Sequence, residues 1–176
     1  MTMAQLSPQA LQRIEREAAK YPPEQRQSAV MSALRIAQDE HGWLSDELME
    51  EVANVLNMPP VWVYEVATFY NMYNLKPPGK HKVVVCTNLP CALSGGEHAA
   101  EHLKKRLGLA AFNETSADGS VTLKEGECMG ACGDAPVLIV DNKRMCSFMS
   151  AEKLDQLLEE LVSDTNPSTS GRKSGV

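Results

Sequence analysis

Four of the five cysteines in this 176-residue chain form two close pairs in the sequence. Cys86 and Cys91 are separated by four residues, and Cys128 and Cys132 by three. The second pair lies in Gly-Glu-Cys-Met-Gly-Ala-Cys-Gly, residues 126–133, whose glycines let a loop fold closely around a bulky group. Four cysteine thiolates are the ligands of a structural zinc ion or of an iron-sulfur cluster. The sequence therefore predicts a metal centre of one of these two kinds.

The spacing within each pair favours an iron-sulfur cluster over zinc. Zinc sites most often have two residues between paired cysteines, although gaps of up to about four are tolerated. A thioredoxin-type dithiol also has two intervening residues, and neither pair shows that spacing. A rival ligand set combines the first pair with His98 and His102, but a solvated histidine pair explains that spacing better. Unligated buried cysteines are the remaining alternative.

The fifth cysteine, Cys146, lies apart from both pairs, within residues 144–148. This segment is predicted to be a strand, in which a single cysteine usually packs as a small apolar side chain. We interpret Cys146 as a strand-core residue rather than a further ligand or a regulatory thiol.

Charge and hydropathy exclude several classes of function. The 17 basic and 23 acidic residues give a net charge of −6, which argues against nucleic acid as a partner. No window approaches about 18 uncharged apolar residues, so we expect no insertion into a membrane. The first residues lack the pattern of a secretory signal, which favours a reducing, cytoplasmic location. There, clustered cysteines indicate metal or redox chemistry rather than disulfides.

Residues 1–76 are predicted to form a small helical bundle, because apolar residues recur at helical spacing between capping and breaking residues. The predicted helices are residues 8–20 capped by Ser7, a second that ends at His41-Gly42, a third capped by Ser45, and a fourth opened by Pro59-Pro60. We interpret most aromatic residues of this region as core, although any exposed ones suit an interface. They are Trp43, Trp62, Tyr64, Phe69, Tyr70 and Tyr73.

Residues 77–163 are predicted to form an α/β domain, because the prolines and glycine of residues 75–80 end the helical pattern and a β-branched run follows. The expected order is strand, helix, three strands and helix, with the helices packed on the sheet. The predicted elements are a strand at 82–86, a helix with a capping box at Ser94–Glu97 that ends near Leu107, strands at 121–124, 137–140 and 144–148, and a helix capped by Ser150. Residues 164–176 are predicted to be a disordered tail.

Both cysteine pairs resemble those of the thioredoxin-like 2Fe-2S ferredoxins, and specifically those of the E-subunit family of NADH-quinone oxidoreductase, respiratory complex I. The resemblance includes Cys86-x4-Cys91 and the segment Cys-Met-Gly-Ala-Cys-Gly-Asp-Ala-Pro at residues 128–136. It extends to His-Gly-Trp-Leu at 41–44, Val-Ala-Thr-Phe-Tyr at 66–70 and Leu-Lys-Pro-Pro-Gly-Lys at 75–80. Roughly residues 5–163 take part, which leaves the tail outside.

The resemblance implies a helical bundle followed by a thioredoxin-like α/β ferredoxin domain. It implies that Cys86, Cys91, Cys128 and Cys132 hold one 2Fe-2S cluster. The implied function is electron transfer within the NADH dehydrogenase module, an oxidoreductase, by exchange of single electrons with the flavin of a partner subunit. In that complex the F subunit binds FMN and NADH, with the G subunit beside it, and the module is cytoplasmic and peripheral to the inner membrane. Consistent with this, the chain has no G-x-G-x-x-G motif after a strand.

Three other functions stay open at this point. The small subunit of a soluble NAD-linked formate dehydrogenase or hydrogenase shares the fold and the cluster. A zinc-stabilised interaction module has the same four ligands without redox chemistry. A thiol oxidoreductase is the most distant alternative.

Overall fold

The computed structural model describes residues 5–165, and the chain divides into two compact units between residues 77 and 78. The first unit is helical, and the second combines a five-stranded sheet with helices. This is the predicted fold class, a helical bundle followed by an α/β domain. Within residues 5–165 we find no helix with the length and apolar character needed to cross a membrane.

Three predicted helix caps of the first unit are confirmed. Ser7 Oγ accepts a hydrogen bond of 3.1 Å from the Ala10 amide, and Ser45 Oγ accepts one of 3.3 Å from the Leu48 amide. Gly42 ends the second helix in the left-handed conformation, with φ of 81°. The elements are α1 (Pro8–Ala18), a 3-10 helix that was not predicted (Pro23–Ala29), α2 (Val30–His41), α3 (Asp46–Leu56) and α4 (Pro60–Phe69).

The core of the first unit is formed by apolar stripes of these helices. Ile14, Leu34 and Val52 are fully buried in it, and burial of each such side chain contributes about 1.5–3 kcal/mol. Tyr73 is buried as predicted, and its hydroxyl donates a hydrogen bond of 2.9 Å to the Met31 carbonyl. Burial raises the pKa of Tyr73 to about 12, so the phenol stays protonated as a donor.

The aromatic residues of α4 face solvent, so the interpretation of most bundle aromatics as core was wrong. This helix packs on the bundle through a narrow stripe, in which Val63 and Ala67 are buried one turn apart. Phe69 is 80% exposed and packs edge-on against Tyr70, with ring centroids 5.0 Å apart. The exposed apolar residues of this segment, here called the α4 face, are Val61, Trp62, Tyr64, Phe69 and Tyr70.

The second unit is built on a sheet with strand order β2-β3-β1-β4-β5. Strands β1 and β3 are parallel, and the other neighbouring pairs are antiparallel. The β-branched residues 83–85 are buried in the central strand, as expected for a strand covered on both faces. The strands are β1 (His81–Cys86), β2 (Glu114–Thr115), β3 (Val121–Gly126), β4 (Leu138–Val140) and β5 (Arg144–Cys146). The two-residue β2 was not predicted.

Two long helices, α6 (Gly96–Leu107) and α7 (Ala151–Thr165), supply the remaining core of this unit. Leu103 of α6 and Leu154 of α7 are buried with Leu123 of the sheet in one apolar cluster. Ser150 Oγ accepts a hydrogen bond of 3.4 Å from the Lys153 amide, which agrees with the predicted cap of the last helix.

The predicted capping box at the start of α6 was wrong. A short helix, α5 (Leu89–Leu93), precedes α6, and Ser94 is its C-cap, with its amide bonded to the Cys91 carbonyl at 3.0 Å. Gly95 is the N-cap of α6, with φ of 91° and no side-chain cap. Because α5 and α6 follow each other directly, the chain needs a left-handed residue between them, which glycine supplies.

Two predicted boundaries near the end of the chain differ from the structure. The last strand ends at Cys146 rather than at Phe148, which has φ of 53° and donates its amide to the Asp134 carbonyl. Helix α7 includes Asp164 and Thr165, the first two residues of the predicted tail. The rest of the predicted tail, residues 166–176, lies outside the described residues.

Candidate metal centre

The first cysteine pair is held by the end of β1 and by α5. Cys86 is the last residue of β1, and its amide donates a hydrogen bond of 3.1 Å to the Val137 carbonyl. Cys91 lies in α5. Both are buried with Val137 in a small apolar cluster, and their thiols are within hydrogen-bonding reach of each other. The end of β1 and the short helix α5 therefore hold the two cysteines next to each other.

The second pair lies in the loop that follows β3, and both its cysteines are exposed. The Gly130 amide donates a hydrogen bond of 3.4 Å to Cys128 Sγ, and Cys132 begins a short 3-10 helix. This loop starts beside the first pair, because the Cys86 thiol lies 4.0 Å from the Glu127 carbonyl oxygen. The two ligand segments thus come together at one edge of the sheet.

The thiols of both pairs are close enough to interact electrostatically. Burial raises the pKa of Cys91 to about 11, and Cys86, Cys132 and Cys128 add to the effect. The two pairs therefore lie within electrostatic range of each other, although no three His, Cys, Asp or Glu side chains within residues 5–165 converge tightly enough to hold a single ion.

This donor set fits an iron-sulfur cluster. Thiolates are the ligands of such clusters, and the metal charge deprotonates the thiols that it binds. That charge offsets the burial that keeps Cys91 protonated in the metal-free chain. The chemistry of the donors alone also admits zinc.

Carboxylates surround the ligand loops. Glu125 is held at the end of β3 by Thr87, whose hydroxyl donates a hydrogen bond of 2.6 Å to it. Glu127 and Asp134 are exposed in the second loop. Negative charges near a cluster disfavour the addition of an electron, whereas the hydrogen bond from the Gly130 amide to Cys128 favours it.

The other candidate ligands lie in different surroundings. His102 Nε2 lies 2.8 Å from Asp155 Oδ1, which pairs α6 with α7, and this hydrogen bond lowers the pKa of Asp155. His98 is exposed one turn earlier on α6. Cys146 is half-buried in β5 and packs against the core of the second unit. Its position agrees with the strand-core interpretation.

Sequence reasoning missed α5 and the exposed leucines that it carries. Leu89 is 69% exposed and Leu93 is 81% exposed, on either side of the buried Cys91. It also assigned Gly95 and Gly96 together to a cap, whereas only Gly95 has a positive φ. The signal that was missed is Gly96 itself, because a glycine inside the first turn of a helix, where alanine is favoured, indicates a close contact.

The sheet, its two helices and the four neighbouring thiols define a thioredoxin-like ferredoxin. The family model of the thioredoxin-like 2Fe-2S ferredoxins matches residues 14–162, and the chain belongs to this family. Its cofactor is accordingly one 2Fe-2S cluster.

Curated relatives refine this assignment. The chain is 45% identical over 146 residues to the E 2 subunit of NADH-quinone oxidoreductase from Rhizobium meliloti, covering 83% of this chain and 84% of that protein. It is 42% identical over 146 residues to the E subunit of NADH-quinone oxidoreductase from Rickettsia felis, covering 82% and 86% respectively. These relatives are subunits of an oxidoreductase complex.

A solved structure has a similar fold over most of the chain. A chain of an NAD+-reducing NiFe hydrogenase in the air-oxidized state matches with a TM-score of 0.66 at 20% identity. The match covers 78% of this chain and 23% of the hydrogenase chain, so the present protein spans about a quarter of that longer chain.

Proposed function

We propose that the chain is the electron-transfer subunit of the NADH dehydrogenase module of respiratory complex I. In this proposal Cys86, Cys91, Cys128 and Cys132 hold the 2Fe-2S cluster, and the chain exchanges single electrons with the flavin of a partner subunit. The observation that carries it is that the segments of both cysteine pairs start from the same edge of the sheet, with the first pair buried and the second exposed. The named relatives support the choice of complex.

Each part of this site has a definite role in the proposal. A bound 2Fe-2S cluster supplies one-electron redox chemistry at low potential. In this role Cys86 and Cys91 hold the cluster from the end of β1 and from α5, while the exposed Cys128 and Cys132 face the partner. The Gly130 amide stabilises negative charge at Cys128, and the carboxylate held by Thr87 opposes the gain of an electron.

Docking to a flavin-containing protein completes the proposal. The proposed partner is the NADH-binding F subunit, which carries the flavin, with the G subunit in the same module and the assembly peripheral to the inner membrane. Two exposed apolar surfaces support docking to another protein, the α4 face in the first unit and Leu89 with Leu93 in the second.

A second candidate is the corresponding subunit of a soluble NAD-linked hydrogenase or formate dehydrogenase. The shared fold with the NAD+-reducing hydrogenase favours it. The identity of 45% to a complex I subunit against 20% to the hydrogenase favours the first candidate.

Metal analysis of protein purified without oxygen tests the cluster. We expect about two iron atoms and two acid-labile sulfides per chain, with a rhombic EPR signal after dithionite reduction. The matched control is the Cys91→Ser variant, which lacks one ligand and differs from the parent by a single atom. Stoichiometric zinc without sulfide, after expression with iron supplied, would contradict the proposal and leave a structural zinc module.

Oxidation by NAD+ tests the partner, because electron flow from a low-potential cluster to NAD+ is favourable. The reduced chain alone should keep its EPR signal when NAD+ is added, and the signal should disappear, with formation of NADH, when the flavin-containing partner is also present. A reduced chain that NAD+ oxidises by itself, or that stays reduced with both NAD+ and the flavin-containing partner, contradicts this part of the proposal.

A further inference from the structure

Gly96 lies against the backbones of both cysteines of the first pair. A Cβ atom built at this position would be 2.8 Å from the Cys86 carbonyl oxygen and 2.8 Å from the Cys91 carbonyl oxygen. It would also be 3.0 Å from the Cys91 carbonyl carbon. These neighbours are backbone atoms, which cannot rotate away as the end of a side chain can.

The two carbonyls belong to different elements, so the contact joins them. Cys86 ends β1, Cys91 lies in α5, and Gly96 begins α6, whose first turn touches both. The position has no backbone reason for glycine, since its φ is not positive and helices favour alanine. The missing side chain is what lets β1 and α5 approach each other here.

We propose that Gly96 is a positioning residue that sets the separation of Cys86 and Cys91. This inference rests on the proposed ligand set and adds a residue to it. A side chain at position 96 pushes α5 away from the end of β1, and the thiols that these segments carry move apart. The fold of the second unit absorbs this change, because α5 is short and exposed on its outer side.

The matched variants are Gly96→Ala and Glu97→Ala. Glu97 is the next residue of α6, and its side chain is exposed, so its truncation places no new atom against the cysteine backbones. For Gly96→Ala we expect far-UV circular dichroism like the parent, iron content lower by about threefold or more, and changed g values in the remaining EPR signal. Glu97→Ala should match the parent in all three.

A second measurement does not depend on the cluster. In the metal-free chain with Cys128, Cys132 and Cys146 replaced by serine, diamide forms a disulfide between Cys86 and Cys91. Its rate, followed by mass spectrometry, reports their separation, and Gly96→Ala should slow it by about threefold or more. If the parent chain binds zinc instead of a cluster, the proposed function is wrong. The rate of disulfide formation still tests the positioning role of Gly96 in that case.

Three outcomes overturn the positioning role. The first is a Gly96→Ala chain with parental g values, iron content and disulfide rate. The second is an equal effect of Glu97→Ala. The third is a Gly96→Ala chain that fails to fold, because Gly96 would then be required for folding rather than for ligand spacing.

Discussion

Cys86 is paired with Gly126 across the parallel strands β1 and β3. Both strands therefore end at the same edge of the sheet, where β1 delivers the first ligand and β3 leads into the loop of the second pair. Although 36 residues separate Cys91 from Cys128 in the sequence, this one strand pairing brings their segments to the same edge of the sheet. In a small zinc module, a short sequence spacing brings the ligands together. Here the pairing of strands in the sheet brings them together.

This convergence predicts that the four ligands act together, unlike the fifth cysteine. Cys91→Ser or Cys128→Ser should reduce bound iron to less than about a tenth, because thiolate binding and loop closure are coupled. Cys146→Ser should retain the iron and the EPR signal of the parent. Iron and sulfide analysis measures both, and a colourless Cys146→Ser protein would contradict the ligand assignment.

The carboxylate held by Thr87 predicts a shift in reduction potential. Glu125→Gln removes a negative charge from the edge where Cys86 lies, so the added electron is opposed less. We expect the midpoint potential to rise by an amount on the order of tens of millivolts, as for one charge near the protein surface. Protein-film voltammetry measures it.

Glu159→Gln is the control for this shift, because Glu159 is an exposed carboxylate in the second half of α7. It should change the potential much less than Glu125→Gln. Equal shifts in the two variants would mean that net charge, rather than the held carboxylate, sets the potential.

The α4 face predicts the effect of losing one aromatic side chain. Phe69→Ala removes a ring that is 80% exposed, so the fold of the first unit should be unaffected. If the α4 face docks on the flavin-containing partner, the dissociation constant should rise by about tenfold or more, as for an aromatic anchor. Isothermal calorimetry or quantitative co-purification measures this.

Tyr21→Ala provides the comparison for this variant, since Tyr21 is another exposed aromatic residue of the same unit, outside α4. It should bind the flavin-containing partner as the parent does. Unchanged binding of Phe69→Ala, with the fold intact, would show that the α4 face lies outside the interface.

Lys82 predicts an unusual pH dependence of stability. Burial lowers the pKa of Lys82 to about 8, below the ordinary value of 10.5. At Lys82 the unfolded chain therefore binds more protons than the folded chain between pH 8 and 10.5, and the contribution of this residue to the free energy of unfolding rises with pH across this window. Lys82→Met should raise the free energy of unfolding at pH 7 by up to about 3 kcal/mol, with a smaller gain near pH 10.

Urea unfolding of the parent and variant at both pH values measures this difference. Lys105→Met, at an exposed lysine of α6, should leave the free energy of unfolding nearly unchanged at both. If Lys82→Met raised the free energy of unfolding equally at pH 7 and pH 10, burial of the lysine charge would not be the cause of the gain.

Local features of the sequence were sufficient to predict the main helices, the central strand and the type of the candidate ligands. Ser7, Ser45 and Gly42 cap helices through contacts within a few residues, so their effect does not depend on the rest of the fold. The β-branched residues 83–85 are likewise buried wherever helices cover a sheet. The identity and pairing of the cysteines restrict the cofactor chemistry in the same local way.

Only the tertiary structure decided how these parts meet. It showed Ser94 ending α5 rather than opening α6, and the α4 face pointing to solvent rather than into the core. It also showed Gly96 in contact with both cysteine backbones. Each of these three features depends on which distant segment packs against the residue. Tertiary packing within the sheet or the bundle determines that segment, and the neighbours in sequence do not.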